Sequence, residues 1–149
     1  MIGRFLEEFT IGEELVTPSR TMTEADIVMF AGLSGDYSPH HTDAEFIKTL
    51  PFKGKLAHGP LVLAISSGLI VSLNLWRDTA LALLELNIRF KGAVLVGDTI
   101  RVHVKVAETK ESKKGDRGVV TFDMMVKNQK DEDVAEIRWL IMVKTKKAS

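Results

Sequence analysis

Gly59-Pro60-Leu61-Val62-Leu63-Ala64-Ile65-Ser66-Ser67-Gly68-Leu69-Ile70-Val71-Ser72-Leu73-Asn74-Leu75-Trp76 carries no charged side chain, and beyond Thr79 the pattern of the chain changes. Apolar residues then recur at every second position. Leu86, Ile88 and Phe90 alternate with Glu85, Asn87, Arg89 and Lys91; Ile100, Val102, Val104 and Val106 alternate with Arg101, His103 and Lys105. Val120, Phe122, Met124 and Val126 give a third set, and Ala135, Ile137, Trp139, Ile141 and Val143 a fourth. A period of two is that of a strand with one apolar face, whereas the Gly59 segment is long and has Pro60 at a first helical position, where the missing amide costs nothing. The reading is a helix from Gly59 to roughly Leu75, then four strands with turns at Gly97-Asp98, Lys113 to Asp116 and Lys130 to Asp133. Short turns between consecutive strands imply an antiparallel sheet, and its apolar face has one large element available to cover it, the Gly59 helix.

Upstream, a strand near Glu14 to Ser19 completes the sheet. Thr23 before Glu24, Ala25 and Asp26 has the form of a capped helix start, and Ile27, Phe30 and Ala31 share one face of a helix running to about Leu33. Gly35 supplies the backbone freedom to leave it. A second short helix is expected over Asp43 to Thr49, stopped by Pro51, with Phe52 to Leu56 irregular. The Gly59 run approaches membrane-spanning length, but Pro60, Ser66, Ser67, Gly68, Ser72 and Asn74 suit a buried core helix better. The result is an α+β domain occupying residues 1–149, with a fraying basic tail from Lys144 to Ser149.

The composition narrows the classes of function. Of 149 residues, 45% are hydrophobic and 27% charged, a mix that folds rather than remaining disordered. Twenty basic and twenty acidic residues cancel, so no global field draws the chain to nucleic acid or to an anionic membrane. Without cysteine there are no disulfides, thiolate nucleophiles or sulfur metal ligands, which fits a reducing compartment such as the cytoplasm. Met1 to Glu8 is acidic where an export signal needs an apolar stretch.

Chemistry concentrates in Phe30-Ala31-Gly32-Leu33-Ser34-Gly35-Asp36-Tyr37-Ser38-Pro39-His40-His41. Pro39 fixes one dihedral and biases Ser38 toward extended backbone, so Asp36 and His41 are held stiffly toward one small target, such as a water molecule. Adding water to a double bond conjugated to a thioester needs a group that takes a proton from water and a source of a proton for the α-carbon. A neutral imidazole and a carboxylate can serve both steps near neutral pH. Charge developing on the thioester oxygen needs a preorganised donor, and the Gly59 amide at a helix start is of the right type. Read singly, Asp36 also fits a turn, His41 a bond to a backbone carbonyl, and Ser67 a bond to its own preceding helical turn. His40, His41, Asp43 and His58 could be read as a metal cluster, although the usual spaced ligand pairs are missing and the expectation is no metal. Arg89 and Lys91 read as solvated, with contact to a coenzyme A phosphate as the alternative.

Asp36, Pro39 and His41, then His58-Gly59, Ser67-Gly68 and Phe90-Lys91-Gly92-Ala93-Val94-Leu95-Val96-Gly97-Asp98-Thr99, come in the order of the MaoC-like, or (R)-specific enoyl-CoA hydratase, family, which this chain resembles over most of its length. The resemblance implies the hot-dog fold, a curved antiparallel sheet wrapped around one long central helix. It implies Asp36 and His41 as the catalytic pair holding the nucleophilic water, the Gly59 amide as oxyanion donor, and Ser67 as support for the Asp36 side chain, with Ser38 and His58 in the same supporting set. Ser38 stands where that family usually has asparagine, and His40 where it usually has an aliphatic residue. Also implied are a homodimer with its two sheets joined and an acyl thioester substrate carried on coenzyme A or an acyl carrier protein, with no further cofactor. The competing readings are a hot-dog thioesterase, disfavoured because Gly59 to Trp76 lacks the helical carboxylate common in those relatives, and a non-catalytic acyl-thioester-binding protein.

Overall fold

The computed structural model describes residues 2–148. After a 3-10 turn at Leu6–Glu8, the elements in chain order are β1 (Glu14–Val16), β2 (Arg20–Thr21), α1 (Glu24–Ser34), α2 (Pro39–Thr42), α3 (Ala44–Ile47), α4 (Gly59–Val71), β3 (Ala80–Phe90), β4 (Thr99–Glu111), β5 (Arg117–Lys127) and β6 (Asp133–Lys144). The strands form one antiparallel sheet in the order β1-β4-β5-β6-β3, with β2 also paired to β4. Alternation sets its inner face: Ile100, Val102, Val104 and Val106 of β4, Val120, Phe122 and Val126 of β5, and Ala135, Ile137 and Val143 of β6 are almost wholly buried. Burial of each larger aliphatic or aromatic side chain contributes about 1.5–3 kcal/mol. Leu61, Val62, Ile65, Leu69 and Ile70 of α4 join this cluster, and α4 packs on β4.

Several expectations need correction. Gly97-Asp98 does not close a hairpin, because β3 pairs with β6 at the far edge of the sheet and residues 91–98 carry the chain across to β4. Alternation reveals which face a residue occupies but not which strand lies beside it. On that crossing, Leu95 bridges to Leu56, and the Ala57 amide donates to the Val94 carbonyl oxygen at 2.8 Å, so the 52–56 segment is irregular as expected but tied down at its end. The strand expected from Glu14 to Ser19 stops at Val16, before Pro18, and a second short strand, β2, follows beyond it at Arg20–Thr21. Helix α4 ends at Val71 rather than near Leu75: Ser72 caps it, its hydroxyl donating to the Leu69 carbonyl oxygen, and Asn74 takes a positive φ of 55°.

The expected basic tail is structured as far as it is described. Lys144 belongs to β6, and Thr145 is fully buried with its hydroxyl donating to the Gly115 carbonyl oxygen at 2.8 Å. Lys146–Ala148 form a 3-10 turn, whose first amide donates to the Glu7 carboxylate, while Ser149 lies outside the described residues.

Helix α1 starts and stops as its sequence predicts. The Asp26 amide donates to Thr23 Oγ at 3.2 Å, while Asp26 Oδ2 accepts from the Thr23 amide and hydroxyl at 2.8 and 2.7 Å. Asp26 Oδ1 takes Arg20 Nη2 at 2.5 Å. Gly35 ends the helix in the left-handed region, φ 78°, its amide donating to the Ala31 carbonyl oxygen at 2.8 Å. That stop sets down Asp36 where α1 meets the start of α4.

One apolar surface is left uncovered within the chain. Leu86, Ile88 and Phe90 stand opposite Trp139, Ile137 and Ala135, so they share the inner face, yet Leu81, Leu83, Leu84, Leu86 and Phe90 remain exposed. Pro60, Ala64, Gly68 and Val71 leave one side of α4 exposed as well. The sheet therefore covers α4 on one side, and the edge strand β3 extends past the cover the helix supplies.

Candidate active site

The segment from Gly35 to Thr42 is built by short-range hydrogen bonds. Ser38 donates twice to Asp36 Oδ1, from its hydroxyl at 2.5 Å and its amide at 3.1 Å. Pro39 then sits at the start of α2, where Ser38 is the N-terminal flanking residue, so His40 and His41 lie on a helical turn and not on an extended loop. The signal was present in Ser38-Pro39, which reads equally as a stiff bend and as a helix start. Ser38 fixes Oδ1 and thereby turns Oδ2 toward His41, whose Nε2 lies 3.9 Å away.

The hydrogen bonds decide the tautomer of His41. Its Nδ1 is 2.7 Å from the Leu56 carbonyl oxygen, which only accepts, so Nδ1 carries the proton and the neutral ring presents the Nε2 lone pair to Asp36. At 3.9 Å that nitrogen and the carboxylate oxygen are too far apart for a direct bond. A water at about 2.8 Å from each would subtend about 90° at its oxygen, near its natural angle, and could donate to both. The Asp36 carboxyl is held below its ordinary 3.8 by the Ser38 hydroxyl first and the Ser38 amide second, against a desolvation penalty. It faces the ring as a carboxylate.

His58 is the residue that completes the cluster. It precedes the first residue of α4 and is 1% exposed, with Nε2 3.0 Å from the Asp36 carbonyl oxygen. Its ring stacks on His41, centroids 3.7 Å apart and planes 24° apart, and meets Phe30 on α1 at 4.9 Å. Asp36, His41 and His58 each offer an atom to one small volume, all within 4.8 Å of one another, as a metal-binding set must. One nitrogen of each ring is already committed to a backbone acceptor, His58 Nε2 to the Asp36 carbonyl oxygen and His41 Nδ1 to that of Leu56. The alternative set containing His40 and Asp43 is not assembled: Asp43 Oδ1 caps α3 by accepting from the Glu45 and Phe46 amides, and His40 packs on Phe46.

Gly59, one residue on, is the first residue of α4, so its amide has no acceptor within the helix. A Cβ built on it would stand 2.9 Å from Phe90 Cζ, so a side chain at this position would collide with Phe90 unless that ring moved. Ser67 lies on α4, half-buried, and no hydrogen bond joins it to Asp36; the hydroxyl on Asp36 is that of Ser38. Lys91 is paired with Glu136. The Leu56 carbonyl, Phe30 and Phe90 were missed from sequence, the first because a backbone acceptor leaves no side-chain pattern, the other two because their spacing reads as core. Neither described cavity is lined by the Asp36 segment: one of about 620 Å³ opens along the sheet among residues such as Arg89, His103 and Arg138, the other among Val71, Ser72, Asn74, Trp76 and Arg77.

An antiparallel sheet curved over α4, with a carboxylate and an imidazole presented beside the first amides of that helix, defines a hot-dog domain of the dehydratase type. Residues 7–128 match the model of the MaoC-like domain, and the chain belongs to that family. It is 32% identical over 116 residues to the (R)-specific enoyl-CoA hydratase of Rhodospirillum rubrum, covering 76% of this chain and 77% of that one. To the protein MaoC of Klebsiella aerogenes it is 39% identical over 101 residues, 68% of this chain but only 30% of that longer protein. Its fold superposes on the crystal structure of a monoamine oxidase regulatory protein from Archaeoglobus fulgidus with a TM-score of 0.89, at 34% identity over 97% of both chains. No helix among the described residues is long and apolar enough to cross a membrane.

Proposed function

We propose that this protein catalyses the reversible addition of water to trans-2-enoyl thioesters, giving (R)-3-hydroxyacyl thioesters, with the acyl group carried on coenzyme A or an acyl carrier protein. The observation that carries the reading is the His41 Nε2 lone pair facing a carboxylate oxygen at 3.9 Å, a gap fitted to one water. His41 takes a proton from that water as its oxygen bonds to the β-carbon. Electrons of the double bond move onto the thioester oxygen, where the Gly59 amide donates to the developing negative charge. The imidazolium then returns the proton toward the α-carbon, and the carboxylate of Asp36 orients the water and stabilises the charged ring between the two steps. Water supplies every atom added, so the balanced reaction calls for no cofactor.

The functional unit in this proposal is a homodimer that pairs two sheets along β3 and covers the exposed leucines of that strand and the exposed side of α4. A long apolar edge strand is otherwise an aggregation hazard. A cytoplasmic setting, which a cysteine-free chain suits, belongs to the same proposal. The test is a hydration assay across short to long trans-2-enoyl-CoA substrates, following loss of the conjugated thioester absorbance with free thiol measured in parallel. Absorbance loss without thiol release supports hydration; thiol release would make it a thioesterase, and tight binding without turnover a sensor.

A further inference from the structure

We propose that His58 is a positioning residue for the reaction, locking the Asp36 backbone and the His41 ring in register with the Gly59 amide; this rests on the hydratase reading of the same site. Three contacts converge on it. The acceptor at Nε2 is the Asp36 carbonyl oxygen, so Nε2 carries a proton and donates, tying the residue that bears the carboxylate to the start of α4. One flank of the ring lies against His41, 3.7 Å between centroids, and Phe30 of α1 meets it at 4.9 Å, so the ring is gripped between two elements. The next residue along the chain is Gly59.

His58 is unsuited to act on substrate itself. It is 1% exposed, its one donor is committed to a backbone oxygen, and Nδ1 is buried with no partner among the described residues. A buried acceptor without a partner is a cost the fold bears at this position. An aliphatic side chain here would avoid that cost but would leave the Asp36 carbonyl unbonded and remove the flat surface on which His41 rests. The other long-range ties of the dyad loop go to Leu56, whose carbonyl oxygen accepts from His41 Nδ1 and whose amide donates to the His40 carbonyl oxygen at 3.3 Å; neither reaches Asp36, whose exposed carboxylate is bonded to Ser38. Displacing reacting groups by about 1 Å can cost about 100-fold in rate, so a residue that fixes two of them acts on turnover more than on binding.

Two variants separate the contacts. His58→Phe keeps a flat ring against His41 and removes the donor; His58→Gln keeps a donor at the reach of Nε2 and removes the ring. For wild type and both variants, kcat and KM on a trans-2-enoyl-CoA, thermal midpoint, and amide hydrogen exchange across residues 35–42 are measured. The expected result is a fall in kcat of about ten- to a hundredfold for His58→Phe with KM within about twofold, faster exchange in the 35–42 segment, and partial recovery of both in His58→Gln. A folded His58→Phe with wild-type kcat and unchanged exchange overturns the proposal, as does a folded His58→Gln no better than His58→Phe in either readout. If the wild type hydrates nothing, the hydratase reading falls, while looser exchange in His58→Phe and recovery in His58→Gln still establish the anchor. Unchanged exchange in that case removes the anchor too.

Discussion

Replacing Asp36 with asparagine isolates the charge of one carboxylate from the structure that holds it. Oδ1 accepts both bonds from Ser38, and an asparagine carbonyl oxygen has the lone pairs to accept the same two donors, so the segment keeps its shape. The amide nitrogen then falls at the place of Oδ2, 3.9 Å from His41 Nε2, with N–H groups facing the only lone pair on that ring. A water between them would meet a donor where it now meets an acceptor, and the imidazolium formed during turnover would lose its counter-charge. Both effects fall on the step that moves protons, where a positioned acid or base contributes about 10² to 10⁴ in rate. The side chain is 47% exposed and its retained bonds are local, so the thermal midpoint should move by no more than about 2 °C. The assay is the initial rate of absorbance loss on a trans-2-enoyl-CoA, at matched folded concentration. A loss in kcat of about 100-fold or more with the fold intact is expected; a kcat/KM within about threefold of wild type refutes the role given to the charge.

Ser38→Ala removes the contact that does most to keep Asp36 ionised, so its carboxyl should rise toward the ordinary 3.8 and protonate at higher pH than in the wild type. The activity ratio of variant to wild type should therefore fall as pH is lowered toward that value, read from parallel pH–rate profiles, and Ser38→Asn, which restores a polar side chain able to donate to Oδ1, should recover part of it. Asp26→Ala breaks the reciprocal cap of α1 and the Arg20 pair, a loss of about 1–3 kcal/mol in urea unfolding at neutral pH. Burial disfavours charge on Asp26, but the Thr23 bonds and Arg20 outweigh it and depress its pKa, so this contribution is full above 3.8 and is lost as pH falls through the lower folded value; the gap between variant and wild type should narrow in acid. Leu83→Glu places a charge on the uncovered inner face of β3 and should halve the mass seen by light scattering, with activity falling alongside.

The sheet was legible where alternation was strong. In β4, β5 and β6 the apolar partners named from spacing are the buried ones, because a strand with one covered face has no other way to satisfy its pattern. In β3 spacing identified the inner face but could not show that the strand sits at an edge and runs past most of the cover α4 supplies, since neighbour order depends on the crossing of residues 91–98. Thr23 and Gly35 fixed the ends of α1 through chemistry confined to one turn each. Asp36 and His41 were visible for the same reason: Pro39 makes their separation a local matter. The bonds that aim them are of two kinds. Ser38 acts within two residues and could be suspected; the Leu56 carbonyl and the His58 ring come from 15 and 22 residues away and emerge only when 55–57 pairs with 94–96. The other readings of Asp36 and His41, a turn residue and a histidine bonded to a carbonyl, describe real contacts, which in the proposed mechanism orient the two groups.

The chirality of the hydration product tests the central claim most directly, because a single water held between His41 and Asp36 can approach only one face of a bound enoyl thioester. Incubating the wild type with a trans-2-enoyl-CoA and resolving the 3-hydroxyacyl product on a chiral phase should give the (R) enantiomer alone, formed about 100-fold more slowly by Asp36→Asn. A mixture of enantiomers, or an (S) product, would contradict the account.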